Sequence, residues 1–194
     1  MNKLQRSDLM PLETYHETRA DFRRQVMEHK ANRQLALGDH ATLYFEDRLT
    51  IQYQIQEMLR IEKIFESDAI QEELDAYNPL IPDGDNWKAT FMIEYPDIDE
   101  RREALTKLVG IEDRVWMQIE GYDRVYAIAD EDLERDTEEK TSAVHFVRFQ
   151  LTPEMTAAAR AGAAIGGGIE HDNYLHTQSP LAEAVQTALR ADLS

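Results

Sequence analysis

The sequence contains no cysteine. That removes disulfides, thiol nucleophiles, thiolate-bound structural zinc and cysteine-ligated iron–sulfur clusters from consideration. The lack of disulfides fits a cytoplasmic protein, and that location is the expectation. Basic residues are scarce, with 21 Lys and Arg against 38 Asp and Glu and a formal charge of −17. A field of that sign repels phosphate backbones and anionic lipid, so neither nucleic-acid nor membrane-surface binding is expected, and it also keeps a chain in solution. Long apolar runs are missing as well. None approaches the ~18 residues of a membrane span. The stretch from Met1 to Pro11 carries Lys3 and Arg6 without the apolar segment of a signal peptide. With 8 Gly and 6 Pro the chain is neither low-complexity nor disordered.

What is present suits one ordinary domain over residues 1–194: 194 residues, 42% hydrophobic, enough to bury a core without staples. A first helix is expected from about Pro11 to Gln34, with Gly38 beyond its exit. A hairpin follows, Leu35 to Leu37 and Thr42 to Glu46, turning at Gly38-Asp39. A second helix spans Arg48 to about Glu66, and Ser67 caps a third in which Ile70, Leu74 and Tyr77 share a face. The period then changes to two. Trp87, Ala89, Phe91, Ile93 and Tyr95 alternate with Lys88, Thr90, Met92 and Glu94; Val115, Met117 and Ile119 make another strand, and Tyr122–Ala129 and Ala143–Leu151 read as further strands. Asp97, Asp99 and Glu100 open a short helix that Gly110 closes, and Thr152-Pro153 opens another that Gly166-Gly167-Gly168 breaks. Ser179-Pro180 starts the last helix. Asp130–Lys140, with seven acidic residues, reads as a solvated loop. Strands grouped between helices, without steady alternation, give an α+β fold: a largely antiparallel sheet with five or six helices, including an N-terminal helix pair.

The helix pair carries the chemistry. At 100° per residue, Ile51, Ile55, Met58, Leu59, Ile61 and Phe65 form a broad apolar stripe on the second helix, with Glu62 near its centre. A carboxylate there is expected to be buried and to need a partner. The first helix offers Arg19, His29 and Arg33 on the side of Tyr15, Phe22 and Val26, with Lys30 at the edge. Three readings follow. The network is a structural salt bridge that fixes helix docking; or Arg19, Lys30 and Arg33 bind a small carboxylate or phosphate, with Glu62 orienting an arginine and His29 as acid or base; or His29 and Glu62, with Glu46 or Glu57, hold a metal. Basic neighbours and the position of Glu57, well off the Glu62 face, place the metal last, and no cofactor is expected.

The other histidines are less distinctive. His16 with Glu13 and Glu17 suits a solvated face, His145 a satisfied position in a sheet, and His171, Tyr174 and His176 a loose stretch able to fold over a pocket. The chain has no His-Glu-x-x-His, Walker loop, Gly-x-Ser-x-Gly or dinucleotide fingerprint. The glycine run lacks the strand and helix that a phosphate cradle needs.

Several motifs in one order, over nearly the whole chain, resemble a bacterial family of unknown function. They are Arg19-x-x-Phe22; His29-Lys30-x-x-Arg33; Phe45-Glu46; Gln54-x-x-Glu57-Met58-x-Arg60-x-Glu62; Tyr77-Asn78-x-Leu80-x-Pro82; Ala89-Thr90 with Glu94; Val144-His145-Phe146; and His171-x-x-Tyr174. Genes of that kind often lie beside those for a rubrerythrin-like protein and an iron–sulfur oxidoreductase. The resemblance therefore implies an accessory role in redox or peroxide-stress chemistry, exercised by docking to such a partner rather than by catalysis. The runner-up is an enzyme or sensor for a small anion, using Arg19, His29, Lys30, Arg33 and Glu62.

Overall fold

Alternating side chains build two antiparallel sheets whose apolar faces share one core. The computed structural model describes residues 2–194 apart from 134, 136, 138 and 139. The five-stranded sheet has the order β1-β2-β3-β7-β6, and the four-stranded one β5-β4-β8-β9. In chain order the strands are β1 Gln34–Ala36, β2 Ala41–Phe45, β3 Asn86–Ile93, β4 Val115–Ile119, β5 Val125–Tyr126, β6 Ile128–Ala129, β7 Val144–Gln150, β8 Ile165–His171 and β9 Tyr174–Gln178. Among the described residues the α-helices are α1 Leu12–Lys30, α2 Arg48–Glu62, α3 Ser67–Tyr77, α4 Ile98–Lys107, α5 Pro153–Arg160 and α6 Glu183–Ala191. The fold is α+β, and every strand pairing is antiparallel. No helix among the described residues is long and apolar enough to cross a membrane.

The shared core takes Leu43, Phe45, Trp87, Phe91, Val147 and Phe149 from the larger sheet and Val115, Met117, Ile165 and Ile169 from the smaller. Leu105, Ala159, Val185 and Leu189 close it from α4, α5 and α6, with Leu108 just past α4. Full burial of each large side chain contributes about 1.5–3 kcal/mol, and the one polar atom of Trp87 is satisfied, its Nε1 donating to Leu189 O at 2.9 Å. A separate apolar cluster joins Leu4, Ile51, Ile55, Leu59, Leu74 and Ile81, so α2 packs its stripe on α3 and the N-terminal segment. Gln56, fully buried on the neighbouring flank, clips that segment by accepting from Met10 N at 2.6 Å.

Several boundaries differ from the sequence reading. α1 ends at Lys30, so Arg33 sits beyond the helix at the entrance to β1. α2 stops at Glu62 because Lys63 turns left-handed, with φ 56°. The strand expected over Tyr122–Ala129 is two short pieces: the chain leaves the smaller sheet after β5 and joins the larger at β6, with Ala127 N bonding to Val115 O between them. α6 begins at Glu183, three residues after Pro180.

The glycine run is not a break but the middle of β8. A β-carbon on Gly168 would lie 2.4 Å from the Trp116 ring, and one on Gly167 2.9 Å from both Leu35 and Met117. The strand is bare because neighbouring side chains occupy the space above it. The stretch bearing His171, Tyr174 and His176 is correspondingly no loose lid but the β8–β9 hairpin. Tyr174 is buried and donates its hydroxyl to Leu37 O at 2.7 Å.

Candidate functional site

The helix pair resolves into two polar clusters. α1 docks not on the apolar stripe of α2 but on its flank, where Phe22 meets Tyr53 at 6.2 Å between ring centres. Tyr53, Glu57 and Arg60, spaced four and three apart, share that flank. Glu57 is the hub. Arg19 donates from Nε at 2.7 Å and Nη2 at 2.9 Å, a two-pronged pair; Arg60 donates from Nη2 at 3.1 Å, and the Tyr15 hydroxyl at 2.6 Å. The Arg19 guanidinium, with Arg60 and Tyr15, holds the Glu57 carboxyl well below the usual carboxylate range. Burial and this carboxylate together push the Tyr15 phenol far up.

The second cluster lies where α1 ends, α2 begins and α6 ends. Asp47 caps α2, accepting from Thr50 N at 2.9 Å through Oδ1. Its Oδ2 lies 2.5 Å from His29 Nε2 and 3.5 Å from Arg33 Nε. Arg33, only 3% exposed, pairs with Asp192 and donates to the carbonyls of Phe45 at 3.2 Å and Glu46 at 3.1 Å. Burial pushes the Asp192 carboxyl up to about 6, against the pull of Arg33.

The expected five residues therefore do not form one site. His29 and Arg33 meet through Asp47, and Arg19 belongs to the Glu57 cluster. Lys30 makes no ion pair with a described residue. Glu62 is exposed instead of buried: it is the last residue of α2, where the chain leaves its packing partner, and Ile61 and Phe65 are exposed beside it, at 60% and 62%. The charge it acts on is acidic. Burial raises the Glu73 carboxyl, and Glu62 raises it further. Glu57, Asp47 and Asp192 take the role given to Glu62. Asp47 was legible as an N-cap before Thr50, and Glu57 with Arg60 as a pair at helical spacing.

An anion would have to displace Glu57 from Arg19, or Asp47 and Asp192 from Arg33, so neither guanidinium offers an open clamp. No group of three or more His, Asp or Glu among the described residues is placed to hold a metal. Glu46, a suggested metal partner, instead accepts from the hydroxyls of Thr50 and Thr90.

The acidic loop is anchored where it begins. Asp130 accepts from Phe146 N at 3.1 Å and lies 2.6 Å from Nδ1 of the fully buried His145, whose Nε2 is 2.9 Å from Thr141 Oγ1. Arg135 bonds to Asp130 at 2.9 Å and stacks over the Phe146 ring at 4.7 Å. Glu134, Asp136, Glu138 and Glu139, which carry the rest of the expected solvated loop, lie outside the described residues.

This loop borders a broad concavity. The outer face of β3 and β7, carrying Lys88, Phe146, Arg148 and Gln150, is the floor of a trough of about 920 Å³. Tyr77 at the end of α3 and Pro79 and Leu80 after it form one wall, and Glu131 and Asp132 the other. Its cations are Lys3, Lys88 and Arg148, and each is already paired. Lys3 and Lys88 hold Asp83 at 2.8 and 2.7 Å, and Arg148 grips Glu131 at 2.8 and 2.7 Å. Burial alone would raise the Asp83 carboxyl, but Lys3, Lys88 and Asn86 outweigh it and hold it well below its usual range. Asp75 and Asp85, also lining the trough, accept hydrogen bonds from the neutral amides of Gln71 at 2.8 Å and Asn86 at 2.9 Å and form no salt bridge with a described residue, although Asp85 lies within the field of Arg148. The trough thus presents apolar surface and surplus negative charge.

Comparison with known proteins places these features. Residues 3–193 match the family model DUF3501, described as a protein of unknown function. The fold is similar to a crystal structure of a novel protein of unknown function from Burkholderia pseudomallei, with a TM-score of 0.94 and 50% sequence identity over 100% of both chains. No curated protein matches.

Proposed function

The chain belongs to the DUF3501 family, and on that premise we propose that it is a non-catalytic accessory protein that docks a redox partner in the trough. The partner class is the one the sequence resemblance implies, a rubrerythrin-like or iron–sulfur oxidoreductase protein. It presents a basic segment with an apolar or aromatic residue. One observation carries this reading: every cation of the trough is held in an ion pair by a neighbouring carboxylate, while Asp75 and Asp85, the latter within the field of Arg148, form no salt bridge with a described residue. An incoming lysine or arginine meets carboxylates that form no salt bridge, and Tyr77, Leu80 and Phe146 cover the apolar part of what docks. A volume near 920 Å³ is ample for a few side chains.

The α1 clusters connect to this surface through two helices. They fix α1 on α2, α2 shares its apolar cluster with α3, and α3 leads into the wall at Tyr77–Leu80. The test is titration of the protein with a purified rubrerythrin-like protein, and separately with the iron–sulfur oxidoreductase. Asp85→Lys and Phe146→Glu are each expected to weaken binding roughly tenfold, about 1.4 kcal/mol, and added salt is expected to weaken it further. Binding unchanged in both variants, or no binding of either partner, contradicts the proposal.

A further inference from the structure

The two sheets have four outer edges, and three are blunted by length: β5 and β6 are two residues each and β1 is three. β9 is the exception. It pairs with β8 from His171↔Tyr174 to Gly167↔Gln178 without a bulge, and four of its five residues are exposed. In an antiparallel ladder every second residue turns its N–H and C=O away from the partner strand. On β9 those outward groups make no backbone hydrogen bond with a described residue. Unpaired strand edges are normally protected by lysine, proline, a bulge or inward charge. Tyr-Leu-His-Thr-Gln has none of these, and Leu175 is 71% exposed.

The charge of the molecule selects the occupant. Two copies at −17 each repel over most of their surfaces. β9 carries no carboxylate and no lysine or arginine, so here like-charged copies can approach without juxtaposing charges on the paired strands. A basic partner segment, by contrast, finds no carboxylate on this strand to hold it. We propose that β9 pairs antiparallel with β9 of a second copy about a two-fold axis at His176, joining two four-stranded sheets into one. In that register Tyr174 stands opposite Gln178 and Leu175 opposite Thr177 of the other copy, and the main chain supplies the ladder.

The full chain is tested by sedimentation equilibrium across a concentration series, at low and high salt. The expected species is a dimer at twice the 22.5 kDa chain mass, tightened by salt because screening relieves the repulsion. Leu175→Lys with Thr177→Lys is expected to leave the monomer dominant. Both side chains are exposed, so the variant should melt as wild type does when diluted to its monomer. Independently of any variant, hydrogen exchange at the β9 amides should slow as wild-type concentration rises. A monomer at every concentration, a dimer indifferent to the double substitution, or β9 exchange independent of concentration overturns the proposal.

Discussion

Glu57 is the residue on which the helix pair depends. It receives Tyr15, Arg19 and Arg60 together, so truncation strands three donors in a half-buried interface. Glu57→Ala should destabilise the protein by about 2 kcal/mol in urea unfolding, whereas Glu62→Ala should stay within about 0.5 kcal/mol. The contrast records what the sequence could convey. The 100° rule identifies the apolar stripe, since Ile51, Ile55 and Leu59 are buried as that rule requires. It conveys neither that the helix stops at Glu62 nor that α1 packs on a different flank. Both depend on contacts between segments distant in the chain. Asp192, the partner of Arg33, carries no local signal at all. Its carboxyl is raised to about 6 in the folded chain, so the folded state binds the proton more tightly than the unfolded one. The stability this group confers is therefore complete at low pH and falls as pH rises to about 6, by about 3 kcal/mol. Asp192→Asn should gain on the wild type across that window. Glu57 works oppositely: its lowered carboxyl contributes stability above the ordinary glutamate range and loses it as pH falls. Relative to wild type, Asp192→Asn should gain in urea midpoint as pH rises from about 4 to about 6, whereas the deficit of Glu57→Ala should shrink only as pH falls below the ordinary glutamate range.

At the scale of elements, strands with period-two patterning were legible and β8 was not. Ile165-Gly-Gly-Gly-Ile169 lacks the branched and aromatic residues that favour strands, and its reason for being bare lies elsewhere in the chain, in Trp116, Met117 and Leu35. Gly168→Ala forces a methyl to within 2.4 Å of the Trp116 ring and 2.5 Å of His176 O. It should cost about 1–3 kcal/mol or more, read as a lower melting temperature. Gly110 and Gly121, where a β-carbon meets nothing within 4 Å, require glycine only for their left-handed φ of 80° and 88°. A glycine's role thus depends on whether a neighbour fills its vacant side, which the sequence order does not state. The N-cap of α4 shows the opposite case. Asp97 accepts from Asp99 N and Glu100 N, three acidic residues within four positions that announce the helix unaided.

For the whole molecule, composition established class and charge, and the α+β arrangement followed from the order of the elements. Two sheets rather than one could not be read, because periodicity shows which face is buried but not what lies against it. The trough escaped for the same reason: its floor, walls and charges come from five separate segments. Its acidity nevertheless agrees with the −17 of the chain, and a basic partner is the class that both favour. Hydrogen–deuterium exchange of the full chain, with and without a purified rubrerythrin-like or iron–sulfur partner, tests that claim most directly. The account predicts slowed exchange at residues 75–88 and 144–150, around the trough, with little change over α1. Slowing confined to another surface, or none with either partner, would contradict it.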